Sequence, residues 1–128
     1  MIVLDTHAWI WHVTESDRLS KSARAHIKRA DALGVHPISC WEVATLVEGG
    51  RLRFQQSVAQ WVELAVARPK IELLGCSAAA AVRAAQLGDT FPADRADRLI
   101  VAAALEANAP LVTKDERIHE WGGIKVIW

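Results

Sequence analysis

The sequence has no net charge and no long hydrophobic run. Fifteen lysines and arginines balance fifteen aspartates and glutamates, so no overall positive field attracts nucleic acid to the chain. Binding of a nucleic acid would have to use a local basic patch or a metal ion. Near the N-terminus, Asp5, His7 and His12 interrupt the apolar residues early. This pattern predicts neither a signal peptide nor a membrane span, and we expect a cytoplasmic protein.

Cysteine is scarce, and linkers and repeats are absent. Cys40 and Cys76 are the only two cysteines, and they lie far apart in apolar surroundings without CxxC spacing. We expect two reduced thiols in the core. The chain has 128 residues, of which 52% are hydrophobic, and no low-complexity tract. This composition predicts a single domain spanning residues 1–128 that buries a real core.

Short β-rich runs alternate with helical patterns along the chain. The predicted strands are IVLD, GVHPIS, IELLG, APLVTKD and IKVIW. The predicted helices are residues 20–32, ended by Gly34, and then CWEVATLVEGG, SVAQWVELAVAR, SAAAAVRAAQL and ADRLIVAAALEANA. This alternation predicts an α/β protein with a short, mainly parallel sheet covered by helices on both faces.

Carboxylates occur where these elements begin or end. Asp5 closes the first strand and Asp115 follows the fourth. Glu42 is expected in the first turn of the helix that leaves the second strand, and Asp94 and Asp97 lie three residues apart at the start of the last long helix. In an open parallel sheet, ligands bind beyond the carboxyl ends of the strands. We therefore expect these acids near one edge of the sheet.

Each acid also has an ordinary structural interpretation as a strand terminator, turn residue, helix cap or first-turn residue. Taken together, clustered carboxylates repel one another and resist ionisation unless a counter-charge is present. Mg²⁺ and Mn²⁺ prefer oxygen ligands and supply that charge. The acids thus favour metal-assisted phosphodiester hydrolysis. His7, His12 and His119 match no zinc-site spacing, so we expect peripheral or core roles for them.

Four segments occur in a characteristic order, namely IVLDTHAWIW, PISCWEVATLVEGGRL, PADRADRLIVAAAL and PLVTKDERI. With these segments the chain resembles the PIN-domain ribonucleases, in particular the VapC-type toxins of toxin–antitoxin pairs. The resemblance implies a three-layer α/β/α sandwich and an endoribonuclease that uses Mg²⁺ or Mn²⁺. Cys40 stands where many members have leucine, and we expect no functional consequence from this departure.

The resemblance also implies which residues form the site. The catalytic and metal-binding acids are Asp5, Glu42, Asp97 and Asp115, with Asp94 as an outer-sphere or additional ligand, and Thr6 and Thr113 as supporting hydroxyls. Asp5 and Asp97 are expected to be the principal ligands. Glu42 and Asp115 are expected to hold metal waters, and either could act as the general base.

Basic residues that flank the acids are candidates for holding RNA, and the resemblance implies protein partners. Candidate phosphate contacts, each with solvated surface charge as the ordinary alternative, are Arg95, Arg98, Lys114 and Arg117, and also Arg51 and Arg53. Members of the family usually form homodimers, and a VapB-type antitoxin covers the acidic pocket. Trp9 and Trp11 allow three roles, namely core packing, which we favour, partner binding and base stacking.

Two other functions fit parts of the sequence. A catalytically inactive PIN-like module that binds RNA or protein would share the fold, but all four acids are present. A phosphatase resembling the haloacid dehalogenases also has an aspartate at the end of its first strand. That class requires a second aspartate two residues later, where this chain has His7, so the phosphatase ranks below the nuclease.

Overall fold

The computed structural model describes all 128 residues, in five strands and seven helices. The strands are β1 (Ile2–Leu4), β2 (Leu33–Val35), β3 (Ile71–Leu73), β4 (Leu111–Val112) and β5 (Val126–Ile127). The helices are α1 (Thr6–Val13), α2 (Lys21–Arg29), α3 (Pro37–Glu48), α4 (Val58–Val66), α5 (Ala78–Ala85), α6 (Arg95–Glu106) and α7 (Glu116–Trp121). All neighbouring strands are parallel, in the order β3-β2-β1-β4-β5.

The two faces of the sheet carry separate hydrophobic clusters, because successive side chains of a strand point to opposite faces. Leu4 belongs to the cluster covered by α1, α2, α3 and α4. Val3 belongs to the cluster covered by α6 and α7, and α5 packs on α6. Helices therefore lie on both faces, which confirms the predicted three-layer α/β/α fold with a parallel sheet.

The second strand and the helix after it begin earlier than predicted. Gly34 lies inside β2 instead of ending the preceding helix, and Pro37 is the first residue of α3 instead of a strand residue. Proline suits this position because its fixed φ matches a helix start. The His36 Nδ1 accepts a hydrogen bond from the Ile38 N–H at 3.0 Å and caps the helix. As a consequence, Glu42 lies in the second turn of α3 and not in the first.

Two helices, α1 and α7, were not predicted. Both are short, with eight and six residues. Helix α1 buries the consecutive residues Ala8, Trp9 and Ile10, so its sequence lacks the periodicity of an amphipathic helix. Each of the two helices begins immediately after one of the candidate acids, Asp5 or Asp115. The missed helices therefore determine how these two side chains are held.

The two cysteines have different environments. Both are free. Cys40 is partly buried against the core, whereas Cys76 is exposed, so the prediction of two core thiols is wrong for Cys76. Cys76 follows the edge strand β3, which is itself largely exposed, with Leu73 at 52%. No helix combines the length and the apolar character needed to cross a membrane.

Among the tryptophans, Trp9 and Trp61 form part of the core. Trp9 is fully buried and meets Trp61 edge to face, with ring centroids 5.3 Å apart. Trp11 is only partly buried and lies between His7 and Trp128. Core packing therefore describes Trp9, while Trp11 remains accessible to a ligand.

Candidate active site

The candidate site lies beyond the carboxyl ends of β1 and β4. The chain builds the sheet outward from β1 in one direction and then returns to the other side of β1 with β4. Loops leaving a sheet at such a switch point diverge and open a crevice. The cleft here has a volume of about 650 Å³ and is lined by Asp5, Thr6, His7, Trp11, Arg18, Glu42, Asp94, Asp97, Lys114, Asp115, Glu116 and Arg117. The structure thus brings together all five acids identified in the sequence.

Three of these acids are helix N-caps. Asp5 Oδ1 accepts a hydrogen bond from the Ala8 N–H at 2.7 Å at the start of α1. Asp94 Oδ1 accepts one from the Asp97 N–H at 3.0 Å at the start of α6. Asp115 caps α7 in the same way. Capping fixes each side chain at the border of the cleft, so the structural and the functional interpretations of these acids are compatible.

Glu42 reaches the cleft from α3 and is held by a buried hydroxyl. Thr6 is 3% exposed and donates a hydrogen bond to Glu42 Oε1. The Thr6 Oγ1 also lies 2.9 Å from the hydroxyl of Ser39, which is fully buried. Ser39 was not singled out from the sequence, although its position one turn before Glu42 on the same helix could have indicated it.

Burial and the charges of neighbouring acids raise the pKa of three of the carboxyl groups. The pKa of Asp97 is raised from its ordinary value of 3.8 to about 8, first by burial and then by the charge of Asp94 and a hydrogen bond to it. Burial also raises the pKa of Asp5 and of Glu42, which hydrogen bonds from Thr113 and Thr6, respectively, partly oppose. None of these three carboxyl groups is paired with a cation, since the single ion pair joins Asp115 and Arg117.

Asp115 has a different electrostatic environment. Arg117 binds both of its oxygens, with Nε 3.0 Å from Oδ1 and Nη2 2.7 Å from Oδ2. These hydrogen bonds lower the pKa of Asp115. The pair is the only ion pair in the chain. Asp115 is therefore ionised at neutral pH, and Arg117, a candidate phosphate contact, already has a carboxylate partner.

The donor chemistry of the cleft suits a hard divalent cation. Its acids offer only oxygen ligands, which Mg²⁺ and Mn²⁺ prefer. Burial raises the pKa of Asp5, Glu42 and Asp97, and none of the three is paired with a cation. In their present positions, no three acidic, histidine or cysteine side chains are arranged to hold a metal ion. Glu42 is turned toward Thr6 and Asp94 toward the first turn of α6. The residues fit the ion by charge and donor type.

The candidate RNA-binding cations are divided between two places. Lys114 and Arg117 line the cleft, but Arg95 and Arg98 line a different cavity beside α5. Arg98 donates to the Gly88 carbonyl oxygen at 2.9 Å and lies over the Phe91 ring. Arg18 lines the cleft and was missed, since its position in the loop after α1 carries no sequence signal.

The remaining basic candidates lie outside the cleft. Arg51 and Arg53 are exposed in the loop between α3 and α4. Of the three histidines considered for zinc, only His7 lines the cleft. Its ring centroid lies 5.6 Å from that of Trp11, so the two side chains form one wall of the cleft.

The parallel sheet, the helices on both faces and the acidic cleft at the switch point define a PIN-like α/β/α protein. The chain belongs to the PIN domain family, whose model matches residues 2–123. It is 38% identical to Ribonuclease VapC22 of Mycobacterium tuberculosis over 118 residues, which cover 92% of this chain and 89% of the relative. The resemblance to VapC-type proteins is thereby confirmed.

Solved structures support the fold. VapBC-1 from nontypeable Haemophilus influenzae superimposes with a TM-score of 0.72 at 20% identity, covering 98% of this chain and 96% of that chain. VapBC2 from Rickettsia felis, bound to a DNA fragment from its promoter, gives a TM-score of 0.71 at 16% identity, with coverage of 98% and 97%. At these identities the likeness establishes the fold alone.

Proposed function

We propose that this protein is a metal-dependent endoribonuclease, the toxin of a VapBC-type pair, with residues 1–128 acting as one nuclease domain. The proposal is supported by the identity to Ribonuclease VapC22 over most of both chains. The observation that carries it is the group of carboxyls, most of them partly buried, at the switch point between β1 and β4, of which Asp97 has its pKa raised to about 8. Such a group is suited to binding a cation and a phosphodiester.

Bound Mg²⁺ or Mn²⁺ would neutralise the carboxylates, polarise the phosphoryl oxygens and lower the pKa of a water molecule. Asp5 and Asp97 would be the principal ligands, because both line the cleft, Asp5 from the N-cap of α1 and Asp97 from the first turn of α6. Asp94 would add an oxygen from the cap of α6. The all-oxygen donor set supports these assignments.

We assign the general base to Glu42 rather than to Asp115. Burial raises the pKa of Glu42 toward neutral pH, and a general base is most effective when its pKa lies near the working pH. Thr6 occupies Oε1, which leaves Oε2 to accept the proton from the attacking water. Asp115 is paired with Arg117 and has a lowered pKa, so it would instead position water. Lys114 would contact the phosphate.

The proposed partners come from the neighbours. One solved structure with this fold is a toxin–antitoxin complex from Klebsiella pneumoniae, and others are the VapBC-1 and VapBC2 structures. We propose that a cognate VapB-type antitoxin covers the acidic cleft of this chain and inhibits it, that the chain forms a homodimer, and that it cleaves RNA in the cytoplasm. An excess of carboxylates is suited to neutralisation by an arginine of such an antitoxin.

Cleavage of RNA by the purified protein tests the nuclease. The wild type is incubated with cellular RNA in Mg²⁺, in Mn²⁺ and in EDTA, beside the variants Asp5→Asn and Asp97→Asn. We expect cleavage with either ion, none with EDTA, and a loss of about 100-fold or more in each variant. Asp89→Asn, which changes an exposed acid outside the cleft, is the matched control. Addition of the cognate antitoxin should abolish cleavage.

Other outcomes would support other functions. RNA binding without cleavage in either ion would indicate an inactive binding module. Release of phosphate from small phosphoesters alone would indicate a phosphatase. Cleavage that persists in EDTA and in both variants would show that the acids are not the catalytic groups.

A further inference from the structure

A second charged cavity lies at the amino ends of β2 and β3, whereas the acidic cleft lies beyond the carboxyl ends of β1 and β4. Leu33, the first residue of β2, contributes to its wall, and the segment that leads into β3 closes it. It has a volume of about 350 Å³, and no acidic residue lines it. Its charged and titratable side chains are those of His12, Arg24, Lys28, Arg68 and Lys70. Four permanent positive charges therefore surround one small cavity in a chain with no net charge.

None of these four cations has a carboxylate partner. The only ion pair in the chain joins Asp115 and Arg117 in the acidic cleft. The one acid whose charge reaches His12 is Glu15, and its side chain is exposed. Clustered, uncompensated cations produce a local potential that concentrates anions. This cavity is thus the kind of local basic patch that a neutral chain needs to bind nucleic acid.

The protein holds three of the cations in place without using all of their donors. Arg68 Nη1 donates to the Val13 carbonyl oxygen at 3.2 Å, and Lys70 Nζ donates to the Lys28 carbonyl oxygen at 2.9 Å. Arg24 donates to two carbonyl oxygens of the loop between α1 and α2. Capping of helix carbonyls is an ordinary role for cations. However, a lysine has three donors and an arginine five, so further N–H groups remain for an anion.

Helix α1 connects the two cavities. His7 and Trp11 line the acidic cleft, whereas His12 lines the basic cavity. At about 1.5 Å per residue, His12 lies about 7.5 Å further along the helix axis than His7. A nucleic-acid strand that runs along α1 from the acids would bring its next phosphates toward the cations.

We propose that the basic cavity binds the phosphodiester backbone of the RNA strand on one side of the bond cleaved in the acidic cleft. This inference rests on the proposed nuclease function. The cations come from α2 and from the segment before β3, so they are spread around the cavity and suit several phosphates of one strand. Such contacts add affinity and position the strand without reading its bases.

Binding of a labelled single-stranded RNA to the full-length protein tests the proposal. Fluorescence anisotropy is measured in EDTA over a range of salt concentrations for the wild type and for Lys28→Gln/Lys70→Gln. Loss of two phosphate contacts should weaken binding about tenfold and reduce the slope of log affinity against log salt by roughly 1.4, at about 0.7 per contact. The matched control, Lys21→Gln/Lys125→Gln, removes two exposed lysines outside the cavity and should bind like the wild type.

A second variant keeps the test valid if the double variant does not fold. Lys70 caps a backbone carbonyl, so thermal unfolding is recorded for each protein. Lys28→Glu alone changes an exposed residue in the last turn of α2 and repeats the test if the double variant unfolds. With Mg²⁺ or Mn²⁺, the cavity variants should raise KM for RNA cleavage and leave kcat unchanged, because the lost contacts are remote from the reacting atoms.

Several results would overturn the inference. Equal RNA affinity of the cavity and control variants would do so directly. A glutamate oligopeptide that binds as tightly as RNA and loses the same affinity would show a site for an acidic protein segment. Inorganic phosphate that stabilises the wild type but not the cavity variant, with RNA binding unchanged, would show a small-anion site.

The two proposals fail in different ways. If the wild type cleaves no RNA but its binding depends on Lys28 and Lys70, the nuclease assignment fails and the basic cavity remains an RNA site. If cleavage depends on Asp5 and Asp97 but the cavity variants keep the wild-type KM, the nuclease stands and the cavity proposal fails.

Discussion

Replacement of Asp97 by asparagine should stabilise the metal-free protein. The pKa of Asp97 is raised from 3.8 to about 8, so its ionised form is disfavoured in the folded state. Asparagine has nearly the same shape, carries no charge and can still donate a hydrogen bond toward Asp94. The variant therefore removes the electrostatic cost and keeps the packing.

The size and sign of the effect follow from linkage. A rise of about four pH units corresponds to roughly 6 kcal/mol at about 1.4 kcal/mol per unit. Because Asp97 is partly exposed and solvent screens its interactions, we reduce this to about 2 kcal/mol. Because the pKa of Asp97 is raised in the folded state, the contribution of this group to the free energy of unfolding is fully present below pH 3.8 and is lost as the pH rises through about 8. The gain from Asp97→Asn should therefore be largest at pH 8 and above.

Thermal and denaturant unfolding in EDTA between pH 4 and 9 measure this effect. At pH 8 we expect Asp97→Asn to unfold about 8 °C above the wild type, whereas Asp89→Asn should show no such gain. Saturating Mg²⁺ should stabilise the wild type and have little effect on Asp97→Asn, because a bound cation replaces the missing positive charge. Parallel stability curves for the wild type and Asp97→Asn across this pH range would refute the reasoning.

Two further substitutions test the supports of the site and the core. Thr6→Val removes the hydroxyl that donates to Glu42, so the free energy of unfolding should fall by about 1–2 kcal/mol. The same hydrogen bond lowers the pKa of Glu42, so the titration of its carboxyl group, followed by NMR, should move to higher pH. An unchanged titration would contradict this role of Thr6. Trp9→Ala creates a cavity at a fully buried site and should lower the free energy of unfolding, measured with denaturant, by about 3–5 kcal/mol. The control Trp41→Ala changes a side chain that is 61% exposed and should be nearly neutral. Similar losses of stability in the two variants would argue against the burial of Trp9.

Local patterns predicted the class of the fold and the identity of the acids. The apolar run IVL and the helix after Asp94 are recognisable from neighbouring residues alone. Their alternation implies a parallel sheet, and a parallel sheet brings the carboxyl ends of its strands to one edge. For this reason the convergence of Asp5 and Asp97 could be anticipated from the sequence.

Contacts between distant segments could not be anticipated in this way. The hydrogen bond between Thr6 and Glu42 joins residues 36 positions apart. The short helix α7 was missed, and with it the cap that Asp115 forms. Helix α6 directs Arg98 to the Gly88 carbonyl and away from the cleft. Such assignments depend on the relative positions of packed helices, which no local pattern encodes.

The sequence by itself therefore determined the α/β class, the parallel sheet and the carboxylates that follow its strands, because periodicity and chain order are local properties. Only the tertiary structure decided which charges are compensated. It pairs Asp115 with Arg117, leaves Asp97 with its pKa raised to about 8, and gathers Arg24, Lys28, Arg68 and Lys70 around a second cavity. The physical reason is that pairing and burial depend on distances between segments far apart in the chain, and these distances exist only after the helices have packed on the sheet.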